Sequence, residues 1–197
     1  MNTISSNFDL SDLREYTVEA GRPDTITAEK LFAIKDGGAT RISINPQTMN
    51  DTILEKIGRK HTTEQTVNAF KLARECGFDN INMDLIAGLP DEDFDSFKAT
   101  IDKILTLSPE SVTVHSLSLK RASTLNKNQD FFDFSDGITA SQMVDFAKET
   151  FESNGIFPYY MYRQSKTVGN LENVGYSKKD YECLYNVYIM DETHTIL

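Results

Sequence analysis

A handful of polar side chains carry most of the chemical possibilities in this sequence. They are Glu19, Gln47, Arg59 and Asp84, with His115, Ser116 and Ser118 further along. A guanidinium at Arg59 can grip a carboxylate through two parallel hydrogen bonds. Glu19 can accept from an ammonium group. Asp84 lies inside an apolar run, where an unpaired carboxylate is costly, and can accept from sugar hydroxyls. Gln47, directly after Pro46, can bridge a donor and an acceptor. Such a set suits an amino-acid-like cofactor. Each residue also has an ordinary use. Arg59, in Gly58-Arg59-Lys60-His61, can be a solvated charge, and Glu19 can simply end a strand. Gln47 can serve a turn, and His115 can be a satisfied core histidine. No phosphate-binding glycine loop, dinucleotide fingerprint, zinc-finger spacing or nucleophile elbow is present.

The elements that must position these residues alternate along the first two-thirds of the chain. Arg14 to Ala20 reads as a strand through Tyr16 and Val18. Thr27 caps a following helix that Gly37-Gly38 stops. Arg41 to Asn45 is the next strand, broken by Pro46, with a short helix near Thr52 to Ile57. Thr62 and Gln65 have capping-box spacing and open a helix that ends at Gly77. Asn80 to Ile86 is a third strand, closed by Gly88-Leu89-Pro90. Phe94, Phe97, Ile101, Ile104 and Leu105 then fall on one helical stripe, and Ser111 to Leu119 is a fourth strand.

Four β–α repeats in series predict parallel strands with right-handed crossovers, in an open sheet or a barrel. In either, ligands sit beyond the carboxyl ends of the strands, where the polar residues above fall. The last third differs. A polar loop with a Phe131-Phe132-Asp133-Phe134 patch precedes a helix from about Thr139 to Asn154, and short strands are expected at Pro158 to Arg163 and Glu182 to Met190.

Composition bounds the function. The chain has 197 residues and a net charge of −10, which argues against a nucleic-acid or anionic-membrane surface. It has no apolar run long enough to span a membrane. Met1 to Arg14 is polar and acidic, unlike a signal peptide. Cys76 and Cys183, the two cysteines, form no metal-ligand pattern, so a reducing cytoplasm with free thiols is expected.

Five segments in order carry a family resemblance. They are Glu15 to Thr27, Arg41-Ile42-Ser43-Ile44-Asn45-Pro46-Gln47-Thr48-Met49, Ile57-Gly58-Arg59-Lys60-His61-Thr62, Asn82-Met83-Asp84-Leu85-Ile86-Ala87-Gly88-Leu89-Pro90, and Thr113-Val114-His115-Ser116-Leu117. They resemble the third to sixth strands and the arginine motif of oxygen-independent coproporphyrinogen III oxidases, which are radical S-adenosylmethionine enzymes. Val18 to Asp24 and Asn170 to Tyr176 point to the HemZ-type branch.

The resemblance implies a fold: α/β, a partial (β/α)6 TIM-like radical SAM barrel of about four βα units over residues 1–119, with a C-terminal α+β extension over 120–197. It implies S-adenosylmethionine and a [4Fe-4S] cluster as cofactors. Glu19 would lie near the methionine amino group. Gln47 and Arg59 would contact methionine and ribose, Asp84 the ribose, and the backbone near Ser118 the adenine. The implied reaction decarboxylates porphyrinogen propionates to vinyls in haem biosynthesis, with an electron donor the sequence does not identify. The CxxxCxxC loop that ligates the cluster in this family belongs ahead of Met1, so the chain is expected to be an internal, inactive fragment. Relatives that carry haem make haem binding or transfer the alternative, and an ordinary aldolase-like β/α enzyme the third reading.

Overall fold

The computed structural model describes residues 2–118, 137–165 and 167–192. After a short helix α1 (Asn2–Asn7), four strands alternate with helices: β1 (Thr17–Gly21), α2 (Ala28–Asp36), β2 (Arg41–Ile44), α3 (Asp51–Lys56), α4 (Thr63–Glu75), β3 (Ile81–Ala87), α5 (Phe94–Leu107) and β4 (Ser111–Ser116). Then come α6 (Gly137–Ser153), β5 (Phe157–Tyr162), β6 (Asn173–Ser177) and α7 (Leu184–Asp191). The strands make one sheet in the order β1-β2-β3-β4-β6-β5. β1 to β4 pair in parallel, while β6 joins β4, and β5 joins β6, antiparallel. β1 and β5 are the edges among the described residues.

The helix starts follow from their caps. The Thr27 side chain accepts from the Lys30 amide, and Asn50 accepts from the Thr52 and Ile53 amides. Thr62 and Gln65 form the reciprocal pair expected: Gln65 N donates to Thr62 Oγ1 at 3.2 Å, and Thr62 N to Gln65 Oε1 at 2.9 Å. These bonds satisfy amides that have no partner in the first helical turn.

Alternation along the parallel strands divides the sheet into two faces. Ile42, Ile44, Ile81, Met83, Leu85, Val112 and Val114 pack in the main core with Phe70, Phe97, Ile101, Ile104, Met143 and Phe151 from the helices. The intervening positions, Arg41, Ser43, Asn82, Asp84, Thr113 and His115, are polar and face the other way.

Three details differ from the sequence reading. β1 starts at Thr17, later than expected. β6, with Gly175 at its centre, joins the sheet where no strand was expected. The strand expected at Glu182 to Met190 is instead helix α7. Its β-branched and aromatic content suits a strand, but its position is fixed by tertiary bonds. Glu15 accepts from the Leu184 amide at 2.9 Å and from Cys183 Sγ, and Asn186 Nδ2 donates to the Tyr159 hydroxyl. The Phe131 to Phe134 patch lies outside the described residues.

Candidate functional site

The polar face of the sheet holds a continuous hydrogen-bond network across four strands. Asn45 Nδ2 donates to Glu19 Oε2 at 3.3 Å, and Ser43 Oγ donates to Asn45 Oδ1 at 2.7 Å. Asn82 Nδ2 donates to Ser43 Oγ and, at 2.7 Å, to Asp84 Oδ1. Thr113 Oγ1 reaches Asn82 Oδ1 at 3.4 Å and lies 3.5 Å from the Tyr160 hydroxyl. His115 Nε2 stands 3.8 Å from Asp84 Oδ2. Asp84 therefore accepts from Asn82 on one oxygen and faces His115 with the other, so its carboxylate is not left unpartnered in the strand.

This face lines a cavity of about 720 Å³, bounded by β1 to β5 and by α7. Glu19, Asn82, Asp84, Thr113 and His115 border it, with Tyr160 and Tyr162 on the β5 side. A smaller cavity of about 230 Å³ lies at the carboxyl ends of the strands, lined by Gln47, His115, Ser116, Ser118 and Gln164. His115 borders both cavities. It is thus a cavity residue with 30% of its side chain exposed, where sequence reasoning left a core histidine open.

The loop after β2 is pinned in place. Gln47 takes a positive φ of 72°, an uncommon backbone state for a residue with a side chain. Its amide donates to the Asp84 carbonyl, and its carbonyl accepts from the Ile86 amide, both at 2.9 Å. His61 Nε2 bonds the Pro46 carbonyl. Next to Gln47, Thr48 Oγ1 donates to the buried Glu92 at 2.6 Å. Burial pushes the Glu92 carboxyl up to about 7, against the lowering effect of Thr48 and Ser96.

The structure brings Glu19 and Asp84 to one cavity, and Gln47 and Ser118 to the adjoining one. Arg59 lines neither. It lies half-buried near Arg22 and Asp24, and burial, then the Arg22 charge, pull its guanidinium below the ordinary value. Arg22 itself bonds Asp24 through Nε and a terminal nitrogen. Arg59 forms no ion pair among the described residues. Sequence reasoning placed Asn45 at a strand end but missed Ser43, Asn82, Thr113, Tyr160 and Tyr162. For Ser43, Asn82 and Thr113 the signal was present as small polar residues recurring at every second position within apolar strands.

The sequence pattern of the Radical SAM superfamily matches residues 12–104, the segment that builds β1 to β3 and most of α5. Residues 12–104 are a radical SAM domain. It is 47% identical over 189 residues to the oxygen-independent coproporphyrinogen-III oxidase-like protein HemZ of Bacillus subtilis, covering 96% of this chain and 38% of that protein. It is 44% identical over 107 residues to the heme chaperone HemW of the same organism, covering 54% of this chain and 28% of the relative. The solved coproporphyrinogen III oxidase HemN of Escherichia coli superposes with a TM-score of 0.69 at 20% identity, over 90% of this chain and 38% of the other. The chain thus spans less than two-fifths of the length of these relatives.

The superfamily works with S-adenosylmethionine and a [4Fe-4S] cluster. The donor set fits the first: carboxylates, side-chain amides and hydroxyls converge on adjoining cavities, a match for ammonium and ribose groups. It does not fit the second. The two cysteines are buried at Cys76, after α4, and Cys183, before α7. Among the described residues no three His, Cys, Asp or Glu side chains form a metal site.

Proposed function

We propose that this chain is the S-adenosylmethionine-binding part of an oxygen-independent coproporphyrinogen III oxidase-type enzyme of the HemZ branch, working in the cytoplasm. The carrying observation is the polar cavity face on which Glu19 and Asp84 meet, in a chain 47% identical to the HemZ protein. In this reading Glu19 accepts from the methionine ammonium, and Asp84 from the ribose hydroxyls. Gln47 reaches the methionine and ribose part from the adjoining cavity, and the backbone at Ser118 borders the adenine, while Arg59 lies outside both cavities. Asn82 orients Asp84 and Asn45 orients Glu19, with Ser43 joining the two amides in a supporting shell that fixes their rotamers.

S-adenosylmethionine, held by Glu19, Asp84 and Gln47, would supply hydrogen-atom abstraction from a propionate side chain, whose loss of carbon dioxide and one electron would leave a vinyl group. The cluster is held by a segment other than this one, and this chain alone is inactive. The electron leaves to a carrier this chain does not identify.

The test joins the chain to a cluster-bearing N-terminal segment such as that of the Bacillus subtilis HemZ relative. S-adenosylmethionine binding is then measured by equilibrium dialysis. Asp84→Ala and Glu19→Ala are expected to weaken it at least tenfold, the worth of one charge-assisted hydrogen bond. Binding unchanged in both variants would refute the site. The 44% identity to a heme chaperone supports a second reading, haem binding without turnover. It would be favoured by a stoichiometric haem spectrum in a protein that forms no vinyl product.

A further inference from the structure

Tyr160 and Tyr162 occupy successive inward positions of β5 and line the main cavity opposite the Glu19 edge of the sheet. Their rings are parallel within 6°, with centroids 6.3 Å apart. The cavity therefore has a carboxylate side, on β1 and β3, and an aromatic side, on β5. Burial pushes both phenols up from their ordinary value, so both stay neutral.

The aromatic side is built at a cost. A side-chain carbon on Gly175 would fall 1.8 Å from Tyr160 Cε1 and 2.3 Å from Cδ1. The Tyr160 ring thus fills the space that any residue larger than glycine would need at that place in β6. Glycine inside a strand weakens it, and here it admits the ring. The hydroxyls are tethered: Tyr160 lies against Thr113, and Tyr162 accepts from Gln164 Nε2 at 3.3 Å.

We propose that Tyr160 and Tyr162 form the substrate-ring wall of this site, with Gly175 as the residue that sets the wall's position. This deepens the functional reading above and rests on it. The ligand chemistry is an electron-rich heteroaromatic ring, the pyrrole of a porphyrinogen, packed against tyrosine rings. Adenine is the competing ring. Neither tyrosine lines the Ser118 cavity, which adjoins the main one at His115, and this assigns the wall to substrate.

The experiment uses the cluster-bearing protein that contains this chain. Coproporphyrinogen III is dialysed against it without oxygen, then oxidised and read by its Soret absorbance, and S-adenosylmethionine binding is measured in parallel. Tyr162→Leu and Tyr160→Leu are expected to weaken porphyrinogen binding about tenfold, the loss of one aromatic packing partner with its buried area. S-adenosylmethionine binding should stay within about twofold, and Tyr162→Phe should bind like wild type. Gly175→Ala should reproduce the Tyr160→Leu loss. Its effect on stability should largely vanish in a Tyr160→Ala background, which separates displacement of the ring from general misfolding. Unchanged porphyrinogen binding in both leucine variants would overturn the wall, as would an equal loss for S-adenosylmethionine or a wild type that binds no porphyrinogen. A wild type that binds porphyrinogen but forms no 5′-deoxyadenosine would sink the oxidase reading and leave the wall standing.

Discussion

Glu92 offers a test of the fold with a worked magnitude. Its side chain is 3% exposed. Oε1 accepts from Thr48 Oγ1 at 2.6 Å, while Oε2 has no partner among the described residues. Desolvation raises its carboxyl from 4.5 to about 7. The unfolded chain gives up this proton near 4.5 and the folded chain only near 7, so between those values the folded state binds more protons. Stability from this group is complete below about pH 4.5 and falls as pH rises toward about 7. The shift of roughly 2.5 pKa units corresponds to about 3 kcal/mol. Glu92→Gln keeps the shape and an acceptor for Thr48 but cannot ionise. Urea denaturation of both proteins at several pH values between 5 and 8 should show the variant gaining on wild type as pH rises, by up to about 3 kcal/mol at pH 8. Taking the difference between the two proteins cancels every other titrating group. Parallel pH profiles would refute the argument that Glu92 is buried and paired only through one oxygen.

Further outcomes follow from single contacts. Thr62→Ala removes one half of the capping box that opens α4 and should cost about 1 kcal/mol in chemical denaturation. Phe97, 1% exposed in the core, should cost about 3–5 kcal/mol when cut to alanine. Gly169 has φ 65° and would place a side-chain carbon 3.2 Å from the Gly137 Cα and carbonyl, so Gly169→Ala should lower the thermal midpoint measurably. Burial raises both thiols, most directly at Cys76 and Cys183, so native protein should react slowly with a disulfide reagent and show two thiols only after unfolding.

The parallel strands were legible because each is a short apolar run between turn signals, and the helices because their caps and stripes agree. The fold class followed from that alternation. The C-terminal elements were not legible from local pattern. Leu184 to Asp191 carries strand-like residues, but bonds from Glu15 and Tyr159, distant in sequence, hold it as a helix. Asn173 to Ser177 did not read as a strand because Gly175 weakens the pattern, and the reason for Gly175 is a ring from the neighbouring strand. The candidate site was half legible. Carboxylates in apolar surroundings attract notice, whereas Ser43, Asn82 and Thr113 read as ordinary strand residues until pairing brings them onto one face. Arg59 read as part of the cluster, yet it lies by Arg22 and Asp24, away from both cavities.

The central claim is most directly tested by turnover. The chain, joined to a cluster-bearing N-terminal segment and reconstituted with iron and sulfide without oxygen, would be given S-adenosylmethionine, a reductant and coproporphyrinogen III. The account predicts 5′-deoxyadenosine together with loss of carbon dioxide from the porphyrinogen, and loss of both in Asp84→Ala. A protein with a full cluster that forms no 5′-deoxyadenosine would contradict it.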